Sequence, residues 1–433
     1  MKIKFLYADS LDYIDPEFDF MTDSHSEIRK PYWDDQYAHE YMAKTPYDGL
    51  LISRALVGDS SVISGSKYSE TQKMRFLRVG AREFIRFNQA SNIKKPIFGD
   101  CGAFSYSKAK LPPYKPEDTV DFYGDGQFTH GCSTDHIIFE FDVNNQSSKS
   151  EIEESNERYE ITLENASEFI TQSKTLGKEF TPIGVVQGWS PTSMAAAAKK
   201  LVKMGYKYLA IGGLVPLKPV EIHIALAAVE DAIKEHQDIK IHLLGFAKAD
   251  HLNEFKKYNH LASFDSTSPL LKAFKDGTRN YFLPSTDGHK LNYLTALRIP
   301  QALDNTRLKN HIKKGNYSLE ELLRLEKNAL ESVRSIDRDN GDITETTNHL
   351  IAYSRPLINT GATSEEALKS QLHNLRMKYE HTLTSRAWKS CDCTVCVKAG
   401  IEAIIFRGSN RNKRRGFHNL HVFHNHIKNT INS

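Results

Sequence analysis

Cysteine is scarce in this 433-residue chain, and long runs of apolar residues are missing from it. Five cysteines do not suggest a disulfide framework, and three of them lie within the short segment Cys391–Cys396. The best uncharged stretch, Thr181–Ala198, contains Gly, Pro, Gln, Ser and Thr, so it does not resemble a membrane span. Aspartates at positions 9, 12 and 15 interrupt the first apolar residues, which argues against a signal peptide. We therefore expect a cytoplasmic protein with no membrane partner.

A large excess of one charge is also missing, because 57 basic residues face 54 acidic ones and the net charge is +3. The chain as a whole lacks the basic character that announces a nucleic-acid partner. Residues 391–433 differ, since they hold seven Lys or Arg against two acids, and this region could contact phosphate. With 39% hydrophobic and 26% charged residues, the composition is that of a globular protein and excludes general disorder.

Short apolar runs alternate with helix-length segments through the first 265 residues or so. Eight runs are strand candidates: Ile3–Ala8, Gly49–Ala55, Pro96–Phe98, His136–Phe141, Ile183–Val186, Tyr208–Ile211, Ile239–Leu244 and Leu261–Phe264. Five segments have helical periodicity: Ser69–Asn88, Glu151–Leu176, Ser190–Met204, Pro219–His236 and Asp250–Tyr258. This alternation is typical of α/β proteins with a parallel sheet, and eight strands predict a (β/α)8 TIM barrel. A doubly wound open sheet is the alternative.

The strand rhythm stops after residue 273. Leu319–Arg334 and Ser364–Arg386 have helical periodicity, and Ser318 with Glu321 is typical of a capping box. The stretch Asp337–Asn348 is polar and is interpreted as a loop. We therefore predict three regions: a catalytic barrel at 1–273, a mainly helical insertion at 274–389 and a zinc-binding, basic C-terminal subdomain at 390–433.

The strongest chemical motif is Cys391-x-Cys393-x-x-Cys396, followed further on by His418. Three thiolates and one imidazole make a closed tetrahedral site, the ligand set of structural zinc. Three further histidines lie near, so the spacing alone leaves the fourth ligand open: His421, His424 and His426. Three reduced cysteines without a metal are the alternative interpretation. The motif predicts a structural Zn²⁺ ion.

Polar residues or glycines follow most of the later strand candidates. They are Asp100, Asp142, Gln187-Gly188, Gly212-Gly213, Gly245 and Asp265. In a barrel these strand ends meet at one mouth, where active sites form. A single aspartate after a strand is more often a helix N-cap, but that does not explain the whole set. Several carboxylates in one dry mouth suit glycosyl transfer, in which one attacks the anomeric carbon and another moves protons.

Six segments resemble, in the same order, motifs of the tRNA-guanine transglycosylase superfamily. Phe98–Phe104 is similar to its Asp-Ser-Gly-Gly-Phe, Gly184–Gly188 to Gly-Ile-Val-Gln-Gly, Ala210–Leu214 to Ala-Ile-Gly-Gly-Leu, Leu243–Phe246 to Leu-Met-Gly-Val, and Phe264-Asp265 to the Phe-Asp of the nucleophile. The cysteine motif followed by His418-Asn419-Leu420 is similar to the zinc site of that family, which favours His418. Six motifs in order, from about Phe98 to the C terminus, are specific.

The resemblance implies a barrel enzyme that exchanges guanine for a 7-deazaguanine through a covalent glycosyl-enzyme. By position, Asp265 would be the nucleophile on C1′ and Asp100 the general acid/base. Asp142 would bind the Watson–Crick edge of the purine, because a carboxylate accepts the two donors that guanine presents there. The remaining base contacts would come from Gln187, the backbone at Gly213 and Leu214, and Phe104.

Three departures resemble the DNA-modifying branch, the Dpd-type DNA-guanine transglycosylases. Ser266–Pro269 replaces the Pro-Thr-Arg segment of the tRNA enzymes, and the interval from Asp265 to Cys391 is longer than theirs. The chain also ends 15 residues after His418, which leaves little room for their closing helix. The branch implies insertion of 7-cyano-7-deazaguanine (preQ0) into DNA within a restriction-modification system. It leaves open a partner protein and a homodimer.

Three other functions compete with this prediction. The same chemistry on tRNA is the first, and a catalytically silent nucleic-acid-binding protein on the same scaffold is the second. The joint presence of Asp100, Asp142, Gln187 and Asp265 disfavours the second, because a binding protein needs no nucleophile. A hydrolytic metalloenzyme is the third, but a Cys3His site leaves zinc no open position.

Overall fold

The computed structural model describes residues 2–58, 66–144, 149–286, 289–359 and 363–430. The chain divides into two units that each combine segments distant in sequence. The first consists of Met1–Leu11, Tyr47–Thr267 and Ile427–Ser433, and the second of Asp12–Pro46 and Ser268–His426. In the described ranges, no helix has the length and apolar character that crossing a membrane requires.

The first unit is built on a closed barrel of parallel strands. Within the described residues there are eight: β1 Lys4–Ala8, β2 Gly49–Ser53, β3 Ile97–Asp100, β4 His130–Cys132, β5 Thr181–Val186, β6 Tyr208–Ile211, β7 Lys240–Leu243 and β8 Leu261–Ser266. Each strand pairs with the next in sequence, and β1 closes the barrel by pairing with β8, for example Leu6 with Asp265. The predicted TIM barrel is therefore confirmed, and the open sheet is excluded.

Apolar side chains from most of the barrel strands fill the barrel. The central cluster consists of Leu6, Leu51, Phe98, Cys132, Ile183, Val185, Tyr208, Ala210 and Ala262. Strands buried on both faces are uninterrupted apolar runs in sequence, which is why seven of the eight predicted runs coincide with strands.

Helices and short 3-10 turns connect the strands. The α-helices are Arg54–Val57, Glu70–Val79, Ala81–Phe84, Pro116–Asp125, Lys149–Gln172, Pro191–Met204 and Pro219–Ile233, and the 3-10 helices are Ala103–Tyr106, Ser173–Leu176 and Ala249–Lys257. The predicted helix after Ser190 is confirmed, because the Ser190 hydroxyl accepts a hydrogen bond from Ser193 N and Pro191 begins the helix. The predicted helix Ser69–Asn88 is broken at Gly80.

The predicted strand His136–Phe141 is wrong. The fourth strand is His130–Cys132, three residues that pair with β3 and β5 and carry no periodicity for a prediction. The segment after it is largely buried, but side chains satisfy its backbone in place of a ladder: His136 N donates to Thr162 Oγ1 and Ile138 N to Gln187 Oε1. The apolar run His136–Phe141 therefore indicates a buried segment, but this segment is not a β-strand.

The second unit is mainly helical. Its α-helices are Ala38–Tyr41, Ser268–Lys275, Thr306–Lys313, Leu319–Asp337, Ile343–Ile358, Glu365–Ser385, Ala387–Ser390, Thr394–Ala399 and Gly408–Thr430, whose last residues belong to the first unit, and Gly400–Ile404 is a 3-10 helix. Three small ladders join Tyr13–Ile14 with Gln36–Tyr37, Tyr281–Leu283 with Asn292–Leu294, and Leu297–Arg298 with Ile405–Phe406. The division at residues 273 and 389 that the sequence suggests stays a prediction.

Two local predictions in this unit are wrong. The polar stretch Asp337–Asn348 is a loop only to Asp342, which caps the helix Ile343–Ile358 by accepting a hydrogen bond from Glu345 N at 2.7 Å. The chain also has a long closing helix, because Gly408–Thr430 runs for 23 residues through His418. Its first half is rich in Asn and Arg, and the apolar residues with helical spacing are confined to its second half: Phe417, Leu420, Phe423 and Ile427.

The arginines of this closing helix are buried. Arg411 donates to Glu402 Oε2 at 2.7 Å and pairs with Asp23, and Arg407, which directly precedes the helix, bridges Asp23 and Glu326. Such ions are stable in the interior because each is paired and hydrogen-bonded. The prediction that this basic run contacts phosphate is therefore wrong for these side chains.

Two more arginines of the same helix bind backbone carbonyl groups. Arg414 donates to the carbonyl oxygen of Asp15, and Arg415 donates to that of Ala273. The segment Asp12–Pro46 is thus held by the closing helix within the second unit.

Glycines in two neighbouring barrel strands accommodate one buried tyrosine. A Cβ on Gly99 would lie 2.2 Å from the Tyr123 ring and one on Gly131 would lie 2.4 Å from it. The Tyr123 hydroxyl donates to Cys132 O at 2.8 Å, which fixes the ring against both strands.

We expect Gly131→Ala to lower the free energy of unfolding by about 1–3 kcal/mol, because the ring cannot withdraw without breaking that hydrogen bond. Urea unfolding followed by circular dichroism measures this. Gly277→Ala is the matched control, since a Cβ there would meet open space. Equal stability of the two variants would contradict the packing argument.

Candidate active site and metal centre

Three carboxyl groups gather at the carboxyl ends of the barrel strands. Asp100 ends β3, Asp265 lies near the end of β8, and Asp135 follows β4 by three residues. Asp135 and Asp265 both act electrostatically on Asp100, so the three share one environment. The sequence analysis predicted Asp100 and Asp265 at this mouth and missed Asp135.

Asp100 has a strongly perturbed acidity. Burial raises the pKa of Asp100 to about 7, and the nearby Asp135 and Asp265 carboxylates add to the rise. Hydrogen bonds from the Ser53 side chain and Gly102 N act in the opposite direction. A carboxyl group with a pKa near neutrality can both give and take a proton at physiological pH.

Asp135 is fully engaged by neighbouring side chains. Its Oδ1 accepts from Cys101 Sγ at 3.0 Å and its Oδ2 accepts from Gln187 Nε2 at 2.7 Å. Tyr106 adds a hydrogen bond to the Asp135 carbonyl oxygen at 2.9 Å. With both oxygens bound and the residue buried, Asp135 orients other groups and does not offer itself to a ligand.

Gln187 lies in this same cluster, as the strand-end pattern predicted. Its Oε1 accepts from Ile138 N at 3.2 Å while one hydrogen of Nε2 goes to Asp135, which leaves a second amide hydrogen for another partner. A Cβ on Gly212 would lie 2.3 Å from Gln187 Nε2, and Gly213 has φ +74° and passes close to Ile138 O. Gly212 thus makes room for Gln187 and Gly213 for the Ile138 carbonyl group, while Leu214 is a core side chain.

Asp265 accepts two hydrogen bonds on one oxygen. His242 Nε2 lies 3.1 Å from Oδ1, and Gly245 N donates to Oδ1 at 2.9 Å. The turn that aims the Gly245 amide needs φ +65°, a conformation that favours glycine. The sequence analysis overlooked His242, and a single histidine inside an apolar strand was the signal.

The two remaining predicted contacts lie on flanking segments. Asp142 follows the extended segment after β4, where its N donates to Trp189 O at 2.7 Å and its carboxylate accepts from Asn144 N at 2.8 Å. Phe104 is 68% exposed, and its ring meets that of Phe139 edge to face. Both residues stay predicted base contacts.

The cysteine motif and His418 come together in the second unit. The ligand atoms of Cys391, Cys393, Cys396 and His418 all lie within 4.8 Å of one another. His418 Nδ1 is 3.4–3.5 Å from each sulfur. The edge between sulfur and nitrogen in a tetrahedral zinc site is about 3.6 Å, from bond lengths of about 2.3 and 2.05 Å. The four residues therefore fit a tetrahedral metal ion.

Groups around the cluster fix its imidazole. His418 Nε2 donates to Phe282 O at 2.8 Å, which leaves the lone pair of Nδ1 pointing toward the sulfurs. The Tyr281 ring stacks on His418 at 4.0 Å, and its hydroxyl lies 3.1 Å from Cys396 Sγ. Asn419 accepts from Phe282 N, so the residue after the ligand holds the same strand. This is how metal-binding histidines are usually oriented.

Comparison with known proteins identifies the family. No protein-family model matches the chain. A curated DNA-guanine transglycosylase from Salmonella montevideo is 37% identical to it over 431 residues, which cover 99% of this chain and 98% of that protein. The chain belongs to this transglycosylase family.

The family resemblance found in the sequence is thereby confirmed. The protein is a guanine transglycosylase, an enzyme of the pentosyltransferase class, on an α/β barrel. The transglycosylase carries its paired carboxyl groups at the barrel mouth and its potential metal ligands in the second unit.

The raised pKa of Asp100 has a consequence for stability. The folded transglycosylase holds the Asp100 proton more tightly than the unfolded chain, so this carboxyl group destabilises the fold as the pH rises from about 4 to about 7. An amide in place of this carboxyl group could not ionise. We expect Asp100→Asn to raise the thermal midpoint by about 3 °C or more at pH 8 and to have little effect at pH 4.

Differential scanning calorimetry at both pH values checks this expectation. Asp121→Asn, at an exposed carboxylate of the helix Pro116–Asp125, controls for the loss of one charge. The same difference from wild type at pH 4 and pH 8 would contradict the assignment.

Proposed function

We propose that the enzyme exchanges guanine in DNA for a 7-deazaguanine, preQ0, through a covalent intermediate on Asp265. The paired carboxyl groups carry the proposal: Asp265 is held by two donors, while Asp100 has a pKa near 7. The full-length similarity to a protein named for DNA supports DNA as the substrate. The Ser266–Pro269 segment, which departs from the tRNA enzymes, supports it further.

In the proposed first step, Asp265 attacks C1′ of the nucleotide and the bond from C1′ to N9 of guanine breaks. Asp100 gives its proton to the departing base. In the second step the incoming base transfers its N9 proton to Asp100, and N9 displaces Asp265 from C1′. Asp100 thus loses a proton to guanine in the first step and regains one from the incoming base in the second, which suits a carboxyl group that titrates near neutrality.

Base recognition in this proposal uses side chains around the Gln187 cluster. Asp142 accepts the donors of the Watson–Crick edge, since the oxygens of Asp135 are already bound. The second amide hydrogen of Gln187 and the backbone at Gly213 and Leu214 bind the rest of the base. Phe104, an exposed aromatic side chain, covers its face.

We propose that the metal is a structural zinc ion. The ligand set of three thiolates and one imidazole is typical of zinc, and with four protein ligands no position is left for substrate. Reduced thiols at such a site suit a cytoplasmic enzyme. The proposal also places the enzyme in a DNA modification system, where a partner protein or a second copy would assist it.

The catalytic assignment is tested by label exchange. Purified enzyme receives radiolabelled guanine or preQ0 with DNA or tRNA in separate reactions. We expect label in DNA with wild type and a loss of at least about 10⁴-fold with Asp265→Asn, because the amide is not a nucleophile. Asp121→Asn is the control. Label in tRNA alone would favour the tRNA reaction, and label with Asp265→Asn would reject the nucleophile.

The metal assignment is tested by elemental analysis. We expect about one zinc ion per chain in wild type and a large loss in Cys393→Ser, since a neutral hydroxyl is a poor zinc ligand. Cys101→Ser is the matched control, because Cys101 is a buried cysteine of the barrel. Unchanged zinc content in Cys393→Ser would show that other ligands hold the metal.

A further inference from the structure

A chain of polar groups runs through the otherwise apolar barrel to Asp265. The Tyr208 hydroxyl lies 2.7 Å from Ser263 Oγ, and Ser263 Oγ lies 2.7 Å from His242 Nδ1. His242 Nε2 then lies 3.1 Å from Asp265 Oδ1. All four side chains are buried. Tyr208 of β6 reaches Ser263 of β8 past the intervening strand β7, and His242 of β7 contacts both Ser263 and Asp265 of β8. A buried polar network of this kind restricts the orientation of its members when every group has a partner.

The positions of the hydrogen atoms determine which group donates and which accepts at each hydrogen bond of the network. With a neutral imidazole, the anionic carboxylate requires the hydrogen on Nε2, so Nδ1 must accept. Ser263 then donates to Nδ1, and its oxygen accepts from Tyr208. Tyr208 keeps its hydrogen, because burial raises the pKa of Tyr208 to about 12. Every group in the network thereby has a partner, and the tautomer of His242 is set by Ser263 and Tyr208 on the two strands that flank β7.

The two donors to Asp265 fall on the same oxygen. Among the described residues, His242 Nε2 and Gly245 N both reach Oδ1. A carboxylate whose Oδ1 is fixed by two hydrogen bonds from different elements cannot rotate freely. Its Oδ2 is then the oxygen directed away from both donors.

We propose that His242 is a positioning residue that holds Oδ1 of Asp265 so that Oδ2 is the attacking atom. This inference rests on the proposed function and deepens it. His242 does not touch the substrate in this proposal. It acts through the carboxylate, with Ser263 and Tyr208 selecting the tautomer that donates.

Two neutral substitutions separate this role from simple packing. In His242→Gln the amide nitrogen reaches about as far as Nε2 and can still donate to Asp265, whereas in His242→Asn the shorter side chain reaches only about as far as Nδ1. We expect His242→Asn to lower kcat for base exchange about 100-fold with a KM for the base within about threefold of wild type. His242→Gln should retain activity within about tenfold.

Variants of the outer members of the network keep the His242 imidazole in place, so they test the proposal even if the histidine variants fail to fold. We expect the loss of kcat to become smaller with distance from His242. Ser263→Ala removes the donor to Nδ1, and we expect a loss of about tenfold in kcat. Tyr208→Phe acts one bond further away, and we expect a smaller loss. KM for the base should stay near the wild-type value in both variants, because neither residue contacts it.

Exchange assays with all four variants and Asp265→Asn decide the matter. The ordered loss of kcat at unchanged KM would support the inference. Wild-type kcat in His242→Asn or in Ser263→Ala, beside an inactive Asp265→Asn, would overturn the positioning role alone. A wild-type enzyme without exchange activity, or full activity in Asp265→Asn, would overturn the proposed function and this inference with it.

Discussion

The burial of three carboxyl groups in one barrel mouth is the constraint on which the rest of the site depends. Like charges in a poorly hydrated site cannot all ionise at low cost. The fold supplies different partners to each: Cys101 and Gln187 to Asp135, His242 and the Gly245 amide to Asp265. Burial, together with the other two carboxylates, raises the pKa of Asp100 to about 7. The proposed division into a nucleophile and a proton carrier would thus be an outcome of environment and not of residue type.

The sequence predicts the barrel well because its physics is local. A strand buried on both faces needs an apolar run, and a helix that follows it needs a cap such as Ser190. The sequence does not predict the structure of a segment whose backbone hydrogen bonds come from residues distant in the chain. His130–Cys132 is a strand because its neighbours pair with it, and the run His136–Phe141 is not one because Thr162 and Gln187 bind its backbone.

The residues of the candidate site also divide into those that the local sequence predicts and those that depend on contacts with distant residues. Asp100, Gln187 and Asp265 end apolar runs, so position alone placed them at the mouth. His242 and Asp135 matter through the groups that they touch, and no spacing in the sequence specifies those contacts. The Cys3His set was predictable because a metal ion requires donor atoms of fixed type in a small volume.

The arginines of the closing helix show that a basic run in the sequence need not be exposed to solvent. Arg411, Arg414 and Arg415 look like a solvated basic patch in sequence, yet they are buried against the carboxylates and carbonyl groups of the second unit. Because a guanidinium carries five donors in a plane, it can bind several acceptors at once in the interior. An ammonium group has fewer donors and would leave some of these acceptors unpaired. These arginines therefore serve the fold and are not available as phosphate contacts.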